Sequence, residues 1–363
     1  RRDTLDMWYD DGRGGIWQGL LAFGRETATT SYHTHEFFFT IRGDEQKIEV
    51  DRVRMDTSQS FYVLREAEPF ETTMEQDHII KETEKEEAFM KEYRERTGRL
   101  YLSSCRATNG SFLPRPKPQL YMWPTDHVGQ VHKVKTAEPF WTCKGTISEC
   151  RKGEAPILEL EVVATEPHAL IINNFLSEFE ADTIIEESRK TLHRSSVGDS
   201  ENSIKDSNTR TSRNTWLPRS HDDITNSLFL RAADMLQVDE KIIDSGGGGN
   251  AEQLQIVHYN VGEKYDPHYD WGATRHADRF ITLLLYLTDM PSPSAGGSTS
   301  FPKGIGPDGK PFSVHPGKGS AVLFYNMLSD GNADVHSLHS ATVVNQGEKW
   351  LANFWVWDPS RKY

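Results

Sequence analysis

The chain has 363 residues, with 41 Lys plus Arg against 54 Asp plus Glu, a formal charge of -13, a hydrophobic share of 36% and a charged share of 26%. At roughly 150 residues per domain this length suggests two domains, or one with large additions. The acidic balance disfavours a generic grip on nucleic-acid phosphates, which needs clustered cations, and no run of about 18 apolar residues offers a membrane span.

The N-terminal third reads as strands. In Glu36–Arg42, Phe37, Phe39 and Ile41 share a face at period two and Gly43-Asp44 follows as a turn. Lys47–Asp51 alternates likewise, and Ser60–Leu64 is a third candidate. Thr73–Thr97 then reads as a charge-laced helix with Gly98 as its stop. Residues 111–155 are irregular and Pro-containing. Just ahead of the Pro-rich run Leu113–Pro118, Asn109-Gly110-Ser111 is a glycosylation sequon in a polar stretch. Three cysteines are too few for a disulfide scaffold. Cys143 and Cys150 are spaced to close a short loop, with Cys105 paired elsewhere or free, and three reduced thiols are the alternative. These features favour the secretory pathway, endoplasmic reticulum or extracellular, with the cytoplasm as the alternative. The chain opens on Arg1 rather than Met, so any leader is expected to have been removed or to lie before it.

The domain boundary is placed at 155/156, after a β-rich accessory domain. Beyond it, Ala169–Ile172 is a strand, and Ser177 with Glu180 forms a capping box for a helix carrying Ala181, Ile184, Ile185 and Leu192. A second helix after Pro218 places Ile224, Leu228, Ala232, Met235 and Leu236 at helical spacing, and Gly246–Gly249 breaks the chain. Then come the strands Gln253–Val257, Arg279–Leu287, Phe312–His315, Ser320–Phe324, Ala341–Val344 and Trp350–Val356. Helices followed by six to eight strands make an α+β domain whose sheets form a sandwich or jelly roll.

His268-Tyr269-Asp270 puts an imidazole and a carboxylate on one face of an extended segment. Two His and one carboxylate with open positions is the facial triad of non-haem Fe(II) oxygenases. Leu254–Asp270 resembles the metal-binding stretch of the prolyl 4-hydroxylases, and His336–Trp350 resembles the segment with their distal His and co-substrate Lys. The nine-residue gap to Lys349 selects His339 rather than His336. The resemblance runs from about His168 to Trp357 and includes Arg210-Thr211-Ser212, Arg279 and Gly296–Thr299.

It implies a double-stranded β-helix over residues 156–363 with flanking helices, in which His268, Asp270 and His339 hold Fe(II). Lys349 would bind the distal carboxylate of 2-oxoglutarate, aided by Tyr259 and Thr299, with O2 as oxidant and L-ascorbate as reductant. The implied reaction is 4-hydroxylation of prolyl residues in a peptide or protein, with succinate and CO2 as co-products. Asp270 favours hydroxylation over halogenation, because halogenating relatives have a small apolar residue there. Arg210, Ser212, Glu252, Tyr265, Arg279 and Trp355 match positions lining the peptide groove of similar plant and algal enzymes. Trp357 stands where many of those have His, so the peptide is less defined than the iron chemistry. Free proline or lysyl residues are alternative substrates, and a non-catalytic protein-binding scaffold is the alternative class.

Two further His pairs compete. His276-Ala277-Asp278 repeats the H-x-D pattern in a polar loop, and His33-Thr34-His35 places two imidazoles on one face. Ser31–Phe37 is faintly similar to the β domain of the von Hippel-Lindau tumour suppressor, which suggests a protein partner for the N-terminal domain.

Overall fold

The computed structural model describes residues 3–27, 29, 31–65, 73–103, 107, 109–143, 150–195, 209–244, 249–271 and 279–361. Contacts divide the chain into two compact units, one ending at Arg115 and one from Pro116 onward.

In the first unit, β1 (Leu5–Tyr9), β2 (Ile16–Leu21), β3 (Glu36–Ile41) and β4 (Glu49–Arg54) form an antiparallel sheet in the order β2-β1-β3-β4. Leu5, Met7, Phe37 and Phe39 bury one face of it, as expected of side chains two apart along a strand. Helix α1 (Met74–Thr97) starts at a capping box between Thr73 and Gln76 and ends at Gly98, whose φ of 71° is a left-handed stop. Ser60–Leu64 is not a strand. Ser60 bonds the Tyr101 carbonyl and Leu64 packs beside the sheet core, so tertiary contacts decide this short run.

The second unit opens with β5 (Val131–Lys135), β6 (Trp141–Thr142), β7 (Arg151–Lys152), β8 (Ile157–Ala164) and β9 (Ala169–Asn173). Helix α2 (Glu178–Arg189), β10 (His193–Arg194), β11 (Arg213–Leu217) and helix α3 (Asp223–Leu236) follow. The chain then runs through β12 (Leu254–Tyr259), β13 (Tyr265–His268), β14 (Arg279–Tyr286), β15 (Thr299–Phe301), β16 (Phe312–Val314), β17 (Ala321–Tyr325), β18 (His339–Ala341) and β19 (Lys349–Trp357). Nine strands pair in the order β10-β11-β12-β19-β14-β17-β9-β8-β5, and four in the order β13-β18-β15-β16. All recorded pairings between these strands are antiparallel. Phe301 and Val314 of the small sheet share a core with Leu284, Tyr286, Val322, Phe324 and Leu351 of the large one, so the two form a sandwich. The opposite face of the large sheet packs against α2 and α3 through Ile184, Ile185, Leu228, Phe229 and Leu236.

Residues 116–155 belong with this second unit, which shifts the boundary from 155/156 to 115/116. The irregular stretch is pinned by long-range bonds. Gln119 and Leu120 donate backbone N–H groups to Asp358 Oδ2 at 2.7 and 2.9 Å. Trp123 donates its amide to Tyr325 Oη at 2.9 Å and its indole to the Met235 carbonyl at 3.0 Å, and β5 pairs with β8. Cys143 and Cys150 form a disulfide. Cys105 lies outside the described residues. No described helix is long and apolar enough to cross a membrane.

Candidate metal and co-substrate site

The strand pair β13–β18 builds the centre. His268 ends β13, His339 begins β18, and the two are register partners, so the ladder sets their rings 4.3 Å apart between centroids. Two residues past His268, Asp270 turns its carboxylate to both rings: Oδ1 lies 3.9 Å from His268 Nε2 and Oδ2 lies 3.6 Å from His339 Nε2. One donor atom from each residue falls within 4.8 Å of the others, the only such group of three found among the described residues.

Backbone carbonyls orient both imidazoles. His268 Nδ1 sits 2.9 Å from the Asp266 carbonyl and His339 Nδ1 sits 3.0 Å from that of Ser337. A carbonyl only accepts, so the proton belongs on Nδ1 and the lone pair of Nε2 points inward, the arrangement a metal-binding His needs. Burial and the neighbouring His339 push the His268 pKa down to about 3, which keeps the ring neutral. Burial works against ionising Asp270, but the charges around it, including the Arg279 guanidinium, and a hydrogen bond from Thr282 outweigh it and hold the carboxyl well below the usual range. Two imidazoles and one carboxylate suit a divalent cation such as Fe(II).

Lys349, the first residue of β19, is 1% exposed. Among the described residues no acceptor reaches its Nζ, which lies 5.4 and 5.7 Å from the ring centroids of Tyr286 and Tyr259. Burial alone drags its pKa down to about 7. An ammonium so enclosed needs an anion of matching size, and the distal carboxylate of 2-oxoglutarate fits that need. Tyr259 faces the lysine from its register partner position on β12, and burial raises its pKa to about 12, so the hydroxyl stays protonated. Thr299, on β15, shares a 2.7 Å hydrogen bond with Tyr286 Oη and pairs with Ala341 of β18. Lys349, Tyr286, Thr299 and the strand bearing His339 are therefore linked, and Tyr286 is a wall of this pocket that the sequence reading did not single out.

Among known proteins, the profile of the 2OG-Fe(II) oxygenase superfamily matches residues 254–357, a span that contains the triad and Lys349. Prolyl 4-hydroxylase 5 of Arabidopsis thaliana is 34% identical over 217 residues, covering 54% of this chain and 70% of the relative. The chain belongs to the prolyl 4-hydroxylase family. Probable prolyl 4-hydroxylase 3 of the same plant is 35% identical over 215 residues, covering 54% and 71% of the two chains. Prolyl 4-hydroxylase subunit alpha-1 of Rattus norvegicus is 29% identical over 208 residues, covering 54% and 36%. The viral collagen prolyl hydroxylase of Paramecium Bursaria Chlorella virus-1, solved with 2-oxoglutarate, aligns with a TM-score of 0.41 and 25% identity over 54% of this chain and 98% of that one.

The residues that prolyl 4-hydroxylase resemblance assigns to a peptide groove are mostly engaged with one another. Arg279 grips Glu252 with two hydrogen bonds, Nε to Oε1 at 2.6 Å and Nη2 to Oε2 at 3.0 Å, and stacks over Trp355 at 3.7 Å. Its Nη1 lies 3.5 Å from Asp270 Oδ1. Arg210 donates to Gln255 Oε1 at 3.0 Å and Ser212 Oγ at 3.3 Å, with Tyr265 beneath its guanidinium at 4.7 Å. Trp355 is buried, and its indole N–H donates to Asp270 Oδ2 at 2.9 Å, which ties it to the metal ligand. Trp357 stands 5.9 Å from the Arg279 guanidinium.

The rival His residues lie elsewhere. His336 pairs with Asp334 Oδ1 at 3.0 Å and Glu166 Oε2 at 3.5 Å, outside the triad. His35 bonds Ser31 Oγ and packs on Tyr9. His276, Ala277 and Asp278 lie outside the described residues.

Proposed function

We propose that the chain is a 2-oxoglutarate- and Fe(II)-dependent dioxygenase that hydroxylates prolyl residues of a peptide or protein at the 4-position. The observation that carries this reading is the pairing of the His268–Asp270–His339 centre with a buried lysine whose ammonium has no acceptor among the described residues. When bound there, Fe(II), 2-oxoglutarate and O2 supply oxidative decarboxylation of the co-substrate to succinate and CO2, coupled to hydroxylation of an unactivated C–H bond; the cofactor carries that chemistry and the protein positions it.

The protein's share is positional. His268 and His339 present Nε2 lone pairs, and Asp270 contributes the charge. Lys349 fixes the far end of the co-substrate with a charge-assisted hydrogen bond, and the hydroxyls of Tyr259 and Thr299 line the same pocket. The buried rings of Tyr259 and Tyr286 flank the ammonium and shield it from water. On the substrate side, the Arg279 Nη1 and the ring of Tyr265 are groups suited to a prolyl carbonyl and pyrrolidine. L-Ascorbate is the proposed reductant. The secretory pathway is the proposed compartment, supported by the Cys143–Cys150 disulfide and by Asn109 standing exposed in a turn. For residues 1–115 the proposed role is binding a protein partner.

The test is succinate formation from 2-oxoglutarate with Fe(II), ascorbate and Pro-rich peptides. Peptide-stimulated turnover that disappears in His268→Ala is expected. No turnover with any peptide, together with no metal bound, would refute the proposal.

A further inference from the structure

Asp270 reaches the metal site under a constraint that its two oxygens do not share. Oδ2 accepts two hydrogen bonds, from Thr282 Oγ1 at 2.7 Å and from Trp355 Nε1 at 2.9 Å. Thr282 is 0% exposed, and its hydroxyl is also contacted by Asn326 Nδ2 at 2.9 Å, from another fully buried side chain. The directions in this chain are forced. An ionised carboxylate only accepts, so Thr282 must donate its single O–H to Oδ2. The lone pairs of Oγ1 then face Asn326, which must present its NH2 group. An Asn326 turned the other way would put its carbonyl against an oxygen whose only proton is already committed. Asn326 is itself held at both ends of its backbone, donating to the Phe280 carbonyl at 2.9 Å and accepting from the Asp334 amide at 2.9 Å.

We propose that Thr282 is a positioning residue of the metal centre: set by Asn326, its hydroxyl, with the Trp355 indole, holds Asp270 Oδ2 by two hydrogen bonds, so that Oδ1, which has only the looser 3.5 Å approach of Arg279 Nη1, is the oxygen that would be offered to the metal. The carboxylate would thereby hold a cation through one oxygen and leave room beside it for co-substrate and O2. A carboxylate free to turn and chelate through both oxygens would take up part of that room. The sequence context fits this role. Thr282 is a polar residue inside Phe280-Ile281-Thr282-Leu283-Leu284-Leu285, and it shares a face of β14 with Leu284 and Tyr286, which point into the space between the sheets. Packing alone gives no reason for a hydroxyl there, since Val has the same shape.

The inference rests on the metal-site reading and is tested separately from prolyl hydroxylation. Mn(II), a stand-in for Fe(II) that does not oxidise in air, is titrated into the full chain, and binding is followed by loss of the free-ion electron paramagnetic resonance signal. Thr282→Val, which keeps the shape and removes the hydroxyl, is expected to weaken Mn(II) about 10- to 100-fold, the usual cost of losing a partner behind a metal ligand. Thr282→Ser, which keeps the hydroxyl, is expected to restore affinity to within about threefold of the parent. Thr282→Val binding like the parent, or Thr282→Ser binding as weakly as Thr282→Val, would overturn the role assigned to the hydroxyl. If Thr282→Val does not fold, Asn326→Ala carries the test: it frees the hydroxyl to turn away, so weaker Mn(II) binding is expected and parent-like binding would overturn the proposal. A parent protein that binds no Mn(II) would instead refute the metal site itself.

Discussion

Lys349 is held where an ammonium is least welcome, at 1% exposure with aromatic rings around it. Its pKa, lowered by burial to about 7, means that the free protein loses this cation as pH rises through 7, while an unfolded chain would keep it to above 10. Binding of the dianionic co-substrate selects the protonated form, so its affinity is expected to fall about tenfold for each pH unit above 7. Isothermal titration of 2-oxoglutarate between pH 6.5 and about pH 8.5 measures this. Lys349→Arg, whose guanidinium stays charged throughout, is expected to flatten the dependence even if its affinity is lower. The same slope in Lys349→Arg would assign the titration to another group.

Among the elements, α2 and α3 are joined through the core side of the large sheet by a fully buried ion pair. Arg231 of α3 bonds both oxygens of Glu180, at 2.9 and 3.1 Å, and also the Phe175 and Pro139 carbonyls. Glu180 closes the capping box on Ser177 and accepts the Trp141 amide. Arg231→Met leaves that carboxylate buried without its cation, and a loss of about 3–5 kcal/mol in urea unfolding is expected. A loss below about 1 kcal/mol would show that water or local movement compensates. The capping box itself was readable from Ser177 and Glu180, as were the helix limits at Thr73 and Gly98, because caps are local chemistry. So were β3, β9, β14 and β19, whose apolar runs carry their own pattern. By contrast, β5 contributes Val134 as its one buried apolar residue and is ordered by pairing with β8, and the alternation of β8 itself stands where the boundary was expected. His268 and Asp270 stand together in the sequence as an H-x-D pair, whereas His339, 71 residues on, and Lys349 were named through the family resemblance, since no local pattern joins them to that pair. Thr282, Asn326 and Tyr286 were not legible, because their roles depend on neighbours that the fold brings from 12 or more residues away.

At the scale of the whole molecule, the second unit contains every residue assigned here to metal, co-substrate and groove, and it begins at Pro116. Leu120, Trp123 and Val134 lie in its main core, and their removal would expose the apolar face they cover. Residues 116–363 expressed alone are therefore expected to fold cooperatively and bind Mn(II), whereas residues 156–363 are expected to be insoluble or to melt at least about 10 °C lower, since truncating several buried large side chains costs several kcal/mol. Equal melting temperatures for the two segments would return the boundary to 155/156. The first unit has its own sheet core and capped helix, so its proposed partner-binding role is open to study apart from the chemistry.

The proposed chemistry of the His268–Asp270–His339 site is the oxidation of prolyl residues. Mass spectrometry of a Pro-rich peptide library incubated with the full chain, Fe(II), 2-oxoglutarate and ascorbate tests it most directly. Peptides heavier by one oxygen are expected, with the oxygen located on proline and absent when His268→Ala replaces the parent. Oxygen located on another residue type, or oxidation that persists in His268→Ala, would contradict that proposal.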